Sequence, residues 1–246
     1  MLLEAAKVSK SFGAFRAVDR ADLAVAEGEI IGLIGPNGAG KSTFFNCLAG
    51  DLASTSGRVV FGGRDVTRAT PEAHARLGMG RTFQVPATFE DMTVLENVMV
   101  GAFLRHADRK AARAAAHSVV ERVGLGELAQ VRAHSLGTPS RKRLEIARVL
   151  ASEPRLLLLD EALAGLTPAE IARAIELVRQ IHAAGITIVI VEHIMEVILS
   201  LAQHIIVFNE GRIIASGSPR EIIGNPAVIA AYLGRSLERG RPRAPA

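Results

Sequence analysis

Eight consecutive residues constrain this chain more than any other stretch: Gly35-Pro36-Asn37-Gly38-Ala39-Gly40-Lys41-Ser42. The run 29–34 before them reads as a short buried strand, and 43–48 after them as the start of a helix. Glycines at 35, 38 and 40 let backbone N–H groups turn inward, and the helix points its positive end at the same spot. Together these features form a cradle for phosphate oxygens, with every fixed position of GxxxxGK[ST] filled. Lys41 then reaches the terminal phosphates, and Ser42 offers its hydroxyl to a Mg²⁺ ion. The competing reading, a glycine-rich turn that binds nothing, leaves this register unexplained.

Short strands are expected at 4–8, 21–25, 29–34 and 57–61, the last closed by Gly62-Gly63. From about Pro71 to Leu150 the pattern turns helical, with good helix formers at 111–116 and an apolar stripe through Val119, Val120 and Val123. Buried strands at 156–159 and 187–191 and a last strand at 205–209 then alternate with helices at 168–184 and 194–201. Such alternation predicts a mostly parallel α/β sheet, with the helical middle as an insertion.

With 246 residues the chain has room for one large domain or two small ones. Its hydrophobic content is 49%, yet its apolar runs are strand-sized, far below the roughly 18 residues of a membrane span. The surplus points to apolar surface that meets a partner. No signal peptide is visible, and a lone cysteine, Cys47, permits no internal disulfide and fits a reducing compartment. The net charge is +4, but residues 235–246 hold four arginines against one glutamate, leaving the body near neutral. A neutral body with a basic, disordered end is a poor nucleic-acid platform, so no nucleic-acid partner is expected. The tail itself has either no role or a weak affinity for acidic lipid.

Polar residues at the strand exits narrow the chemistry, because open α/β sheets place ligands there. Four leucines, 156–159, lead into Asp160 and Glu161. Asp160 is suited to hold Mg²⁺ through water and Glu161 to polarise an attacking water. His193 emerges from the next apolar run beside the terminal phosphate. Gln84, at the junction with the helical insertion, is placed to contact Mg²⁺ and the water.

These motifs, in this order and spacing, resemble the ATP-binding subunits of ABC transporters over residues 1–234. The resemblance implies a P-loop NTPase (RecA-like) α/β fold: a mostly parallel core (1–84 and 151–234), an N-terminal antiparallel β subdomain and an inserted α-helical subdomain (about 85–150). It implies ATP and Mg²⁺ as cofactors. The nucleotide-binding set would be Phe12, Val18, Gly35, Pro36, Asn37, Gly38, Ala39, Gly40, Lys41, Ser42 and Thr43, with metal contacts from Ser42, Gln84 and Asp160. The catalytic set would be Glu161, His193, Lys41 and Gln84. Phe12 matches the aromatic that stacks on adenine, with Val18 padding the base; a plain core Phe is the other reading.

Residues 81–84 (Arg-Thr-Phe-Gln), 92–98 and 225–234 are similar to the larger ATPase of branched-chain amino acid importers. That implies a second, non-identical ATPase, two transmembrane permease subunits and a substrate-binding protein, with this chain at the cytoplasmic face of the inner membrane. The segment holding Val85, Pro86, Phe89, Met92 and Val94 would dock the permease or pack inside the insertion. A non-transport regulator and an ATPase for lipopolysaccharide export are rival readings.

The family's signature loop, which crosses the dimer to the partner's γ-phosphate, falls on Leu136-Gly137-Thr138-Pro139-Ser140. Gly137 has no hydroxyl and Pro139 no N–H, so two donors are missing. Each charge-assisted bond is worth roughly 1.5–3 kcal/mol, which predicts a functionally asymmetric dimer unless Ser140, Arg141 or Lys142 substitutes. Ala162 and Thr167 also depart from the common pattern.

Overall fold

The computed structural model describes residues 1–84 and 87–239, without the side chains of 233–239. Its strands are β1 (Leu3–Phe12), β2 (Phe15–Val25), β3 (Ile30–Ile34), β4 (Ser56–Phe61), β5 (Arg64–Asp65), β6 (Met79–Arg81), β7 (Leu156–Asp160), β8 (Thr187–Val191), β9 (His204–Asn209) and β10 (Arg212–Gly217). Its helices are α1 (Lys41–Ala49), α2 (Pro71–Leu77), α3 (Val94–Ala102), α4 (Arg109–Arg122), α5 (Thr138–Leu150), α6 (Pro168–Ala183), α7 (Met195–Leu201), α8 (Pro219–Ile223) and α9 (Pro226–Arg239).

Two sheets organise the chain. Strands β2-β1-β4-β5 form an antiparallel sheet, and β10-β9-β3-β8-β7-β6 form the core sheet, parallel from β9 to β6 with β10 as an antiparallel edge. Strands β3, β7 and β8 are buried at every position, as unbroken Leu, Ile and Val runs require when both sheet faces are covered. Alternate residues of β7 serve different cores. Leu156 and Leu158 join Phe44, Phe45, Leu48, Phe61 and Phe208 beneath the antiparallel sheet, while Leu157 and Leu159 face the core of the helical side. Because β3 lies between β8 and β9, the loop after it opens at the carboxyl edge, flanked by the exits of both neighbours.

The helical insertion begins at a capping box, in which the Thr93 hydroxyl accepts from the Glu96 N–H and the Glu96 carboxylate accepts from the Thr93 N–H. Ala112, Ala116, Val119, Val120 and Leu144 bury its apolar faces.

The sequence reading differs from this fold in three places. The stretch read as helical from Pro71 contains β6, which joins β7 at the edge of the core sheet. Three residues carry no alternation to read; Gly80 lets the strand lie against Val149 and Pro154. β9 is followed by β10, a half-buried edge strand with a weak pattern. The tail set at 235 begins inside α9, which runs on to Arg239 through residues of ordinary helix propensity, and its remainder, 240–246, lies outside the described residues.

Among the described residues no helix is long and apolar enough to cross a membrane. At Gly101, α3 meets α5 backbone to backbone: a β-carbon there would lie 1.9 Å from the Arg148 carbonyl oxygen. Gly101→Ala is therefore expected to cost about 1–3 kcal/mol, read as a drop of roughly 2–10 °C in Tm. An unchanged melting temperature would show that the two helices separate without cost.

Candidate nucleotide site

The phosphate cradle takes its shape from two backbone contacts. A β-carbon at Gly35 would sit 2.2 Å from the Phe208 carbonyl oxygen, and one at Gly40 would sit 2.3 Å from that of Ala17. Gly40 caps α1 in the left-handed region (φ 101°) with no side-chain cap, so the leading amides of the helix face the loop. Pro36 is half-buried, Asn37 and Gly38 are exposed, Ala39 is buried and Thr43 half-buried beside it. Buried Lys41 donates from Nζ to the carbonyl oxygens of Gly35 (2.7 Å) and Pro36 (3.1 Å), which places the ammonium at the loop's mouth. Tyr232 of α9 meets the Gly35 backbone, and burial raises its hydroxyl above the usual range against that hydrogen bond.

Asp160 and Glu161 leave β7 at the same edge. Asp160 is 4% exposed, and burial pushes its carboxyl up, opposed by the Arg81 guanidinium. Glu161 adopts a left-handed backbone (φ 46°), a strained state costing about 1–3 kcal/mol. Three contacts hold its backbone there: its N–H donates to Val191 O (2.9 Å), and its carbonyl accepts from the Ala164 N–H (3.2 Å) and from Lys142 Nζ (3.3 Å). The Gln84 amide donates from Nε2 to Glu161 Oε2 at 2.7 Å, joining residues that lie 77 apart in sequence. His193 stands exposed at the exit of β8.

Ser42 hydroxyl, Asp160 carboxylate and Gln84 amide oxygen are hard ligands of the type Mg²⁺ prefers. No group of three or more His, Cys, Asp or Glu suited to a metal exists among the described residues. That donor set fits a metal that completes its shell with water and phosphate oxygens, as Mg²⁺ does beside a nucleotide.

Two assignments need correction. Val18 has no exposed surface; its side chain fills the core beneath the antiparallel sheet and presents nothing to a base. Val94 is likewise fully buried inside the helical insertion, so it is not a docking residue, whereas Phe89 and Met92 are 44% and 39% exposed. Val85 and Pro86 lie outside the described residues. Phe12, half exposed at the β1–β2 turn with Lys10 Nζ 5.1 Å from its ring centroid, offers an open aromatic face.

The loop of Leu136, Gly137, Thr138, Pro139 and Ser140 opens α5, with Gly137 as an N-cap that makes no side-chain bond. The polar side chains at its end already hold local partners. Arg141 donates to the carbonyl oxygens of Leu136 (3.0 Å) and His134 (2.7 Å) and pairs with Glu90, and the Ser140 hydroxyl accepts from Arg143.

Sequence reasoning passed over Glu192, and it did not foresee that Arg81 would meet Asp160 or Lys142 the Glu161 carbonyl. Glu192 is 1% exposed, accepts the Leu163 N–H at 2.8 Å, and is pushed up by burial. A carboxylate directly after four apolar strand residues, 188–191, was the available signal. Arg81 showed only as part of a motif.

The ABC transporter family model covers residues 18–164. The chain belongs to the ABC transporter family. A second model, "Branched-chain amino acid ATP-binding cassette transporter", covers residues 212–237 of this cassette. The cassette is 37% identical to the high-affinity branched-chain amino acid transport ATP-binding protein BraF of Pseudomonas aeruginosa, covering 96% of this chain and 98% of the relative. It is 38% identical to LivG of Escherichia coli K12, a protein of the same description, covering 92% and 94%. The lipopolysaccharide export ATP-binding protein LptB of Acidithiobacillus ferridurans is 33% identical over 96% and 98%. A solved ABC-transporter cassette in its ADP conformation superposes with a TM-score of 0.86 at 31% identity, covering 95% and 98%. The cassette is thus an ATPase that binds ATP with Mg²⁺.

Cys47, 5% exposed on α1, has its thiol pushed up by burial to about 11. Since the thiolate is the reactive form, the native cassette should resist alkylation at pH 8 and react on denaturation. Labelling of the folded chain at the denatured rate would contradict that placement.

Proposed function

We propose that this cassette powers uptake of branched-chain amino acids or a related small polar solute, bound at the cytoplasmic face of the cell membrane. It works beside a second, non-identical ATPase and beneath two permease subunits, with a separate protein delivering the solute. The observation that carries the reading is the 2.7 Å contact from Gln84 to Glu161. It ties the carboxylate suited to position the attacking water to the segment that enters the helical insertion. The names of the relatives and the match at 212–237 support the solute class.

Phosphoryl transfer asks for positioning and charge neutralisation. Lys41 neutralises the terminal phosphates, Ser42 and Asp160 would hold Mg²⁺, and Glu161 and Gln84 orient water, with His193 beside the γ-phosphate. Phe12 stacks on the base. The metal, when bound, spreads the charge that develops on the phosphate oxygens.

Two donors absent from the signature loop set the asymmetry. Arg141 is committed to loop carbonyls and Glu90, and Lys142 is buried against Glu161, which weighs against either one replacing them. This chain's own phosphate loop, served by an intact signature from the partner, is the productive site. In the reconstituted complex, Glu161→Gln should lower turnover by about 10²–10⁴-fold, while the equivalent change in the other ATPase costs little. Equal losses would remove the asymmetry.

Phe83, Phe89, Val100 and Leu104 border a groove of about 570 Å³ between the core and the insertion. It is the seat we assign to the permease. Phe89→Glu should abolish uptake while leaving nucleotide affinity within about twofold; unchanged uptake would reject that seat.

The 33% identity to LptB supports a second reading, export of a lipid. Isolating the native membrane complex and finding which solute, with its binding protein, stimulates ATP turnover separates the two. Stimulation by leucine-type amino acids, urea, short amides or aromatic acids supports import, and stimulation by a lipid overturns it.

A further inference from the structure

One guanidinium collects more partners than its place in the sequence suggests. Arg81 ends β6, with its side chain 12% exposed. From Nη2 it donates to Asp160 Oδ2 (3.0 Å) and to Asn46 Oδ1 of α1 (2.6 Å); from Nη1 it pairs with Asp51, just after that helix; from Nε it reaches Thr82 O (3.3 Å). Its Cζ lies over two rings, 5.5 Å from the Phe45 centroid and 4.9 Å from that of Phe83. Thr82, the next residue, accepts the Asp160 N–H at 3.2 Å through Oγ1. Two consecutive residues at the end of β6 therefore hold Asp160, one by its carboxylate and one by its backbone. Phe83 is 42% exposed and borders the groove assigned to the permease.

We propose that Arg81 is a positioning residue: it fixes the Asp160 carboxylate for the metal and ties it to Phe83 on the groove wall. The inference rests on the reading of Asp160 as a metal-side residue. An isolated buried carboxylate has several rotamers open to it and no fixed direction in which to meet a metal-bound water. Anchoring Oδ2 to a planar fork that is itself held by Asn46, Asp51 and two aromatic faces removes that freedom. Groups that orient a metal ligand from behind typically contribute 10–100-fold to metal affinity. The same fork connects the metal side to the groove. A shift of Asp160 on metal binding moves the guanidinium, and the ring stacked on it moves too.

The test titrates Mg²⁺ into the purified full chain with a fluorescent ADP analogue, using EDTA as the metal-free reference. Arg81→Met should raise the Mg²⁺ concentration at half-maximal enhancement by about 10–100-fold, with metal-free ADP affinity within about twofold of wild type. Arg81→Lys, which keeps the charge but not the fork, should recover only part of the loss. Asp51→Asn removes a distant anchor at a partly exposed site and should shift the midpoint in the same direction. It serves as the readout if Arg81→Met fails to fold. A midpoint unchanged or lowered in these variants overturns the proposal. If wild type shows no Mg²⁺ enhancement, the metal-side reading of Asp160 fails first and takes this proposal with it.

The groove arm uses the fact that the chain has no tryptophan. In a Phe83→Trp variant, indole emission should change as Mg²⁺ is added with ADP, and that change should vanish in the double variant with Arg81→Met. A silent indole, or a response that survives loss of Arg81, overturns the link to the groove.

Discussion

The carbonyl oxygens of Phe208 and Ala17 approach Gly35 and Gly40 so closely that a β-carbon at either glycine would lie 2.2 or 2.3 Å away. The phosphate loop is thereby clamped between β9, beside it in the core sheet, and β2 of the antiparallel sheet. Its amides are aimed before any ligand arrives, so little reorganisation remains when charge enters. The contact also explains why two sheets are needed. The antiparallel sheet closes one side of the cradle and, with α1, shares a core with alternate residues of β7, β8 and β9.

Around that cradle the fold concentrates charge where water is scarce. Burial raises the carboxyls of Asp160, Glu145 and Glu192 and lowers the basicity of Lys142 and Arg148. Removing an ion from water is tolerated only with partners. Phe83 N–H donates to Glu145, Leu163 N–H to Glu192, and Lys142 to the Glu161 carbonyl. These donors come from both ends of the helical insertion and from the turn after Glu161. The insertion is therefore fastened to the carboxyl edge of the core sheet by buried polar contacts as well as by apolar packing.

Legibility in the sequence followed the strength of local signals. The leucine run of β7 and the Ile/Val run of β8 could be placed within a residue because strands covered on both faces admit little else. The loop at 35–42 was readable because its glycines, lysine and serine are each demanded by phosphate chemistry. Val18 and Val94 were misassigned because burial is not written in a residue type: a valine beside a binding loop and one beneath it look alike. β6 was hidden because three residues hold no period, and Arg81 because its partners at 46, 51 and 160 are adjacent only after folding.

The amino-acid order alone thus carried the class of sheet, the glycine-rich loop before α1, the two carboxylates after β7, and the lack of a hydroxyl at Gly137 and of an N–H at Pro139, since each is read from residue types and their order along the chain. Tertiary structure decided that Val18 and Val94 are buried, that Gln84 meets Glu161, and that Arg81 joins Asp160 to an exposed ring. Those outcomes depend on distances between segments far apart in the chain, fixed only when the two cores close around the central sheet.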